Sequence, residues 1–395
     1  HNFKSHRYTQ LNFDTSRLQA IVGQNSSGKT SILQALSYIK YLSTVKSDVQ
    51  DEQKNTTIIG NNSVTIGKYD VGIVVRGVMK LRNHEDWYFS CGLQKKMNGI
   101  WVPNRTFNVN GTEENEDYFS SARLVNLVRR TRSNQSNNPV NTTRRATNNQ
   151  SLLPDFKLLV YSKLLIDNLS KADYSEEVVP EIQFDGSGLA PTLDYLRSED
   201  PARFQAIQEM LQQVVPDVKR IGVRRAKVKI DRQRSIEVDG KSISYEENQE
   251  VTGQEIVLDM NTGDRIPAHA ISEGTMLTLG LLTVLMNPKQ PNLVLLDDIE
   301  QGLHPKAQRE LITVFKQIIQ TNPNLQIIFT THSPYIIDEL EPSQVHVLSN
   351  SKAGFTHAKR LDEHPDAEWA KQSLTTGEFW NAEGEDWVVA GDVND

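Results

Sequence analysis

Eight consecutive residues, Gly23-Gln24-Asn25-Ser26-Ser27-Gly28-Lys29-Thr30, have the types and spacing to hold a chain of phosphates. Glycines at both ends let the backbone curl so that its N–H groups face phosphate oxygens. The helix predicted to follow adds its positive end. Lys29 is placed to reach the β and γ phosphates, the Thr30 hydroxyl to bind Mg2+, and Ser31 joins the nucleotide-contacting set. ATP and Mg2+ are the ligands this arrangement suits.

A second cluster is acidic. Leu293-Val294-Leu295-Leu296 reads as a buried strand, and it ends in Asp297-Asp298. Two adjacent acids at a buried strand end repel unless a cation is present. Asp297 is assigned to Mg2+, directly or through water. Asp298 and Glu300 are candidates to orient or deprotonate an attacking water. A plain helix N-cap pair is the competing reading.

Two shorter segments complete the set. Ser272-Glu273-Gly274-Thr275 opens an apolar helix shortly before the acidic strand. Such a segment is also an ordinary helix start, so its place between the phosphate loop and the acids gives it its functional reading. Thr330-Thr331-His332-Ser333-Pro334 follows the next strand, where a sheet would bring His332 near the γ-phosphate.

The elements that must position these residues alternate strand and helix. Leu18 to Val22 is an apolar run, and apolar residues from Ile32 to Leu42 share a helical face. From Ser63 to about Thr106 the period becomes two, with glycines between runs, which predicts an antiparallel meander. Residues 133–150 are asparagine-rich and read as a polar loop. Helices are expected to resume near Asp155, with Asp200-Pro201 as a cap followed by proline at the first helical position. Strands are expected over 219–262, a helix over 276–286, a buried strand over Asn292–Asp297, an amphipathic helix over His304–Gln320, and strands at Leu325–Thr330 and Val345–Leu348. The fold class is α/β: a mostly parallel central sheet, an antiparallel meander and a helical and β insertion. The expected domains are 1–60 and 263–350 for the two parts of the ATPase, 61–125 for the meander, 126–150 for the polar loop, 151–262 for the insertion and 351–395 for a tail.

Composition sets outer limits. The chain has 395 residues, enough for two or three structural units. One cysteine, Cys91, excludes a disulfide framework. The stretch Leu277–Met286 is too short to span a bilayer and carries two threonines, so no membrane partner and a cytoplasmic location are expected. A net charge of −7 argues against a surface coated for nucleic acid but allows a local basic face. The first residue is His1, not Met, which suggests missing native sequence.

In this order, the phosphate loop, the Ser272–Thr275 segment, the acidic strand and His332 resemble the ATP-binding cassette class. Leu296-Asp297-Asp298-Ile299-Glu300-Gln301-Gly302-Leu303-His304-Pro305 is similar to the Walker B and D-loop stretch of the non-transporter branch, which includes the RecF, SMC-like and OLD ATPases. His1 to His6 resembles the N-terminal segment that this branch places near the nucleotide. Asp185 to Ala190, Leu193 to Leu196 and Asp200 to Ile207 resemble OLD-like ATPases of bacterial defence systems, of the Septu or PARIS type. The resemblance implies a subunit sandwich, in which Ser272–Thr275 of one copy caps the γ-phosphate held by Gly23–Thr30 of another. It implies a homodimer or higher oligomer and a separate effector, a nuclease or toxin, in antiphage defence. The chain departs from the class in its Ser-Glu-Gly-Thr signature and in Asp298, which stands where glutamate is usual. A base one methylene short predicts slow hydrolysis, because a misplacement of about 1 Å can cost on the order of 100-fold.

The long stretch between Gly28 and Ser272 lacks the heptads of a coiled coil and is expected to be compact. Within it, Lys219 to Arg234 is strongly basic. Either this is a solvated strand face with charge partners elsewhere, or it contacts DNA as a RecF- or SMC-like repair ATPase would. Arg123, Arg129, Arg130 and Arg132 form a second basic cluster. The stretch after His332 is too short for an OLD-type TOPRIM nuclease domain, and its acids are scattered; Phe379, Trp380 and Trp387 suggest tail packing and a partner contact.

Overall fold

The computed structural model describes residues 4–6, 9–13, 16–44, 74–80, 86–95, 101–109, 159–238 and 241–390. The meander's first expected runs at Ser63–Ile73, the asparagine-rich loop and the arginines at 123–132 lie outside the described residues. In chain order the elements are β1 (Leu18–Gly23), α1 (Lys29–Thr44), β2 (Val74–Lys80), β3 (Asp86–Lys95), β4 (Trp101–Val109), β5 (Leu159–Ser162), α2 (Ile166–Leu169), α3 (Leu189–Glu199) and α4 (Pro201–Val214). They continue with β6 (Val218–Val238), β7 (Lys241–Met260), β8 (Arg265–Pro267), α5 (Glu273–Leu285), β9 (Leu293–Leu296), α6 (Pro305–Thr321) and β10 (Gln326–Thr330). The last are α7 (Pro334–Ile337), β11 (Val345–Asn350), β12 (Thr356–Arg360), α8 (Ala367–Ser373) and α9 (Thr376–Glu383).

The chain divides into two compact units. One comprises His1–Thr9, Gln34–Lys157 and Asn350–His357. Its β2, β3 and β4 form an antiparallel sheet in register, with Val75 opposite Cys91 and Phe89 opposite Phe107. The Thr356 N–H donates to Ser5 O at 2.9 Å.

The other unit comprises Gln10–Leu33, Leu158–Ser349 and Ala358–Asp395. It is built on a six-stranded sheet of order β12-β11-β1-β10-β9-β5. The strands from β11 to β5 pair in parallel. Such strands are covered on both faces, so their sequences run apolar without alternation: Ala20, Ile21 and Val22 in β1 and Val294, Leu295 and Leu296 in β9 are all fully buried. α6 buries Leu311, Ile312, Val314, Phe315, Ile318 and Ile319, the one-sided spacing of a helix packed on a core. α4 begins at Asp200, whose side chain accepts from the Arg203 N–H, with Pro201 next. A cap of that kind is worth about 1 kcal/mol.

Two features differ from what the sequence suggests. The segment near Asp155 resumes as a strand, β5, and not as a helix. Leu159-Val160-Tyr161-Ser162 is a short apolar run, which periodicity does not assign, and pairing with β9 decides it. This strand belongs to the central sheet even though it lies within 151–262. The strands expected over 219–262 form one long hairpin, β6 against β7. Along it three of the basic residues meet acids across the strands. Arg220 lies 2.6 Å from Asp259, Arg224 2.8 Å from Glu255 and Lys227 2.5 Å from Glu250. In the tail, Phe379 and Trp380 are buried, and the Gly377 N–H donates to Asp338 Oδ1 beside α7 at 3.0 Å. Among the described residues, no helix is long and apolar enough to cross a membrane.

Candidate functional site

β1 runs directly into the phosphate loop. Gly23 has φ +143°, and a side chain there would strike the Leu348 carbonyl of β11 and Ser27 Oγ. Glycine is therefore what lets the loop leave the sheet at this point. Gln24, Asn25 and Ser26 are exposed, Gly28 and Thr30 half-buried, and Ser27, Lys29 and Ser31 buried. Ser27 Oγ is buried with no hydrogen-bond partner among the described residues. The Lys29 ammonium turns back into the loop, donating to Gly23 O at 2.8 Å and Gln24 O at 2.9 Å. Burial draws its pKa below the usual lysine value, while the charges of Asp298, Asp297 and Glu300 act the other way. A desolvated cation at the mouth of a helix favours an anion strongly.

The acidic pair lies against this loop. The Asp297 side chain is fully buried. Thr30 Oγ1 donates to it, at 3.0 Å from Oδ1 and 2.9 Å from Oδ2. Thr330 Oγ1 donates to Asp297 Oδ1 at 2.7 Å and accepts from the Asp298 N–H at 2.8 Å. One threonine at the end of β10 thus fixes both acids, because β10 and β9 are paired neighbours. Asp298 takes φ +54°, a left-handed conformation costly for a non-glycine residue, and the bond to Thr330 helps hold it there. A hydroxyl and a carboxylate converging on one point are hard oxygen donors, so Thr30 and Asp297 fit a hard divalent cation.

Lys163 is a site residue that the motif reading missed. Ser162 pairs with Leu296 in register, so the next residue of each strand arrives side by side. Lys163 Nζ lies 3.0 Å from Asp297 Oδ2 and 3.6 Å from Asp298 Oδ2. Burial works against its charge, but the hydrogen bond to Asp297 and the two negative charges prevail and raise its pKa above the ordinary lysine value. The available signal was a single lysine after a short apolar run, which is uninformative until the pairing with β9 is known.

Glu300 and His332 also meet. Glu300 Oε1 accepts from the His332 N–H at 2.7 Å, while its Oε2 is buried without a partner among the described residues. Burial lifts the Glu300 carboxyl above the usual carboxylate range. The His332 ring is held below its usual pKa, by burial first and by Lys29 second, so it favours the neutral form at neutral pH. Gln308 adds a second tie, donating to Leu303 O at 2.8 Å and contacting Ser333 Oγ. From the tail, Glu385 Oε2 accepts from Gln24 Nε2 at 3.3 Å.

Ser272, Glu273, Gly274 and Thr275 do not join this cluster within one chain. Among the described residues, none of their hydrogen bonds reaches residues 23–31. Ser272 caps α5 by accepting from the Thr275 N–H, and its hydroxyl lies 2.8 Å from Thr275 Oγ1. Ser272 and Glu273 are exposed, Gly274 and Thr275 buried. A side chain on Gly274 would collide with the Gly302 carbonyl, and Gly302 itself has φ +67°. Gly274 is therefore required by a close backbone approach inside the chain.

A separate trio, His364, Asp366 and Glu383, has ligand atoms within 4.8 Å of one another. His364 Nδ1 accepts from the Asp366 N–H at 3.1 Å, which leaves Nε2 to donate toward Glu383 at 3.5 Å. That accounts for the trio without a metal.

The chain is similar to several known proteins. The chain is 21% identical over 381 residues to a protein of Vibrio cholerae serotype O1 biovar El Tor named "Retron Vc95 probable ATPase", covering 87% of this chain and 71% of that one. It is 27% identical over 110 residues to "Retron Ec83 probable ATPase" of Escherichia coli, covering 25% of this chain and 20% of that one. Among solved structures, the SMC head domain from Thermotoga maritima matches at 14% identity and a TM-score of 0.44, over 91% of this chain and 96% of the other. A family model described as "AAA domain, putative AbiEii toxin, Type IV TA system" matches residues 18–338, which contain the phosphate loop, the acidic strand and His332. On that match the chain belongs to this AAA-domain family.

Proposed function

We propose that the protein is an ATP-driven switch whose two-copy, ATP-bound state controls a separate effector. The observation that carries this reading is the convergence of Thr30 and Lys163 on buried Asp297, with Lys29 facing its own loop carbonyls. That is a phosphate loop coupled to a metal-holding carboxylate. ATP would lie along Gly23 to Ser31, with Lys29 turning from Gly23 O and Gln24 O to the phosphates. Thr30 and Asp297 would hold Mg2+, which when bound neutralises phosphate charge. Asp298 would accept the proton of the water that attacks the γ-phosphorus as the β–γ bridging bond breaks. Its side chain is about 25% exposed, so a water can reach it. His332, neutral and exposed, would donate to the γ-phosphate, and Glu300 would fix the backbone from which it projects. Exposed Ser272 and Glu273, with the start of α5, would cap the γ-phosphate of a second copy.

Turnover would be slow, because Asp298 is short and is held in a left-handed backbone. A long-lived ATP state suits a switch. A relative that is a retron ATPase, and a family tied to a toxin–antitoxin system, fit a multi-component system; the separately encoded partner proposed for this chain is a nuclease or toxin in antiphage defence. Direct DNA contact through Lys219–Arg234 has less support, since Arg220, Arg224 and Lys227 already face acids. The test is ATP and ADP binding to wild type and Lys29→Ala, with and without Mg2+. Metal-dependent ATP binding lost in Lys29→Ala is expected; equal binding by both proteins would refute the site.

A further inference from the structure

Asp297 is a fully buried carboxylate beside a second acid, an arrangement that is unfavourable without a cation. Lys163 supplies one. Strand register delivers it: the Asp297 N–H donates to Ser162 O at 3.0 Å, and the ammonium of the next residue lies 3.0 Å from Asp297 Oδ2 and 3.6 Å from Asp298 Oδ2. Yet the Lys163 side chain is 42% exposed, so its head can swing out without disturbing the core. A cation that pairs with both acids, and is free to leave, occupies the carboxylate that the metal would need.

We propose that Lys163 is a displaceable internal counter-cation. It holds the Asp297–Asp298 pair in the nucleotide-free protein, keeps a free divalent cation out of it, and gives up the pair only when metal arrives together with phosphates. This rests on the reading of Thr30 and Asp297 as the metal-holding residues. A divalent cation entering alone would have to displace the ammonium from both acids, and the ammonium would swing out with only water to replace that ion pair. Entering with a nucleoside triphosphate, it brings phosphate oxygens that accept the displaced ammonium. Metal and nucleotide therefore load together, and the empty site does not fill with metal between turnovers.

The experiment titrates nucleotide-free, full-length protein with Mn2+ and follows free Mn2+ by electron paramagnetic resonance. Lys163→Met is expected to bind Mn2+ about tenfold more tightly than wild type, since a like charge a few ångströms away is removed. Lys163→Arg, which keeps the charge, stays near wild type. Adding Asp297→Asn to Lys163→Met abolishes the gain. Thermal melting gives a second readout: Mn2+ raises the melting temperature of Lys163→Met more than that of wild type. If Lys163→Met does not fold, Lys163→Gln serves, keeping a donor to Asp297 without the charge. Equal Mn2+ affinity in wild type and a folded, uncharged variant overturns the proposal. If Asp297→Asn in the wild-type background removes the metal dependence of ATP binding while that equality holds, only the counter-cation falls. If Asp297→Asn leaves the metal dependence intact, the underlying site reading falls with it.

Discussion

Glu300 Oε1 accepts a 2.7 Å hydrogen bond from the backbone N–H of His332. The turn after the acidic strand and the loop after β10 are thereby held as one piece, with Gln308 bridging Leu303 and Ser333 alongside. The same turn carries Gly302, which packs on Gly274 at the start of α5. A change at the proposed γ-phosphate position would thus have a short route to the segment proposed to meet a second copy, by hydrogen bonds as far as this turn and by backbone packing from Gly302 to Gly274.

Glu300 gives a pH prediction. Its carboxyl, raised by burial, binds a proton more readily in the folded chain than in the unfolded one. Stability therefore falls as pH rises from the ordinary value of 4.5 through the raised folded value. Glu300→Gln keeps a carbonyl to accept from His332 and removes the charge. It should melt higher than wild type at pH 8, and the gap should close as pH drops toward 4.5. A gap independent of pH would contradict this.

The signature segment separates stability from assembly. Ser272→Asp keeps a good helix cap, so melting should change by no more than about 0.5 kcal/mol in equivalent stability. The added anion would face the partner's γ-phosphate, so ATP should still bind while ATP-dependent association and hydrolysis are lost. Gly274→Ala should behave differently, destabilising the isolated chain by about 1–3 kcal/mol through its clash with Gly302. Melting curves and ATP-dependent association of the two variants test the distinction.

Turnover should sit below roughly 10 s⁻¹, a common enzyme rate. Asp298→Ala should nearly abolish it while ATP-bound assembly persists, and Glu300→Ala should cost less. Steady-state phosphate release beside ATP affinity checks both. A dead Glu300→Ala with an active Asp298→Ala would move the proton acceptor to Glu300.

The basic hairpin should be nearly silent toward DNA. Neutralising Arg224, Arg225, Lys227 and Lys229 together should change the log–log salt slope of any DNA binding by less than about 1. Four free phosphate contacts would give a change of about 3 to 4. Fluorescence anisotropy across a salt series decides it, and the larger change would restore the DNA reading.

The phosphate loop was legible because its chemistry is local: Gly23 to Thr30 sit on one turn, and strand and helix periods flank them. β9 and β10 were legible as apolar runs ending in polar residues. Lys163 and Thr330 were not, because each acquires its role from the residue beside it in a neighbouring strand, and sequence does not print strand order. The same holds for β5, whose four residues carry no period and gain their identity from β9. Beside the capping role that the resemblance implies for Gly274, its backbone approach to Gly302 is an interior constraint that only packing reveals.

The central claim is that ATP joins two copies and hydrolysis parts them. The most direct measurement is the molar mass of Asp298→Asn by light scattering, without nucleotide, with Mg2+-ADP and with Mg2+-ATP at the same protein concentration. The switch predicts a doubling, or a higher multiple, with ATP alone, lost again when Lys29→Ala is added. A mass that is the same in all three conditions would contradict it.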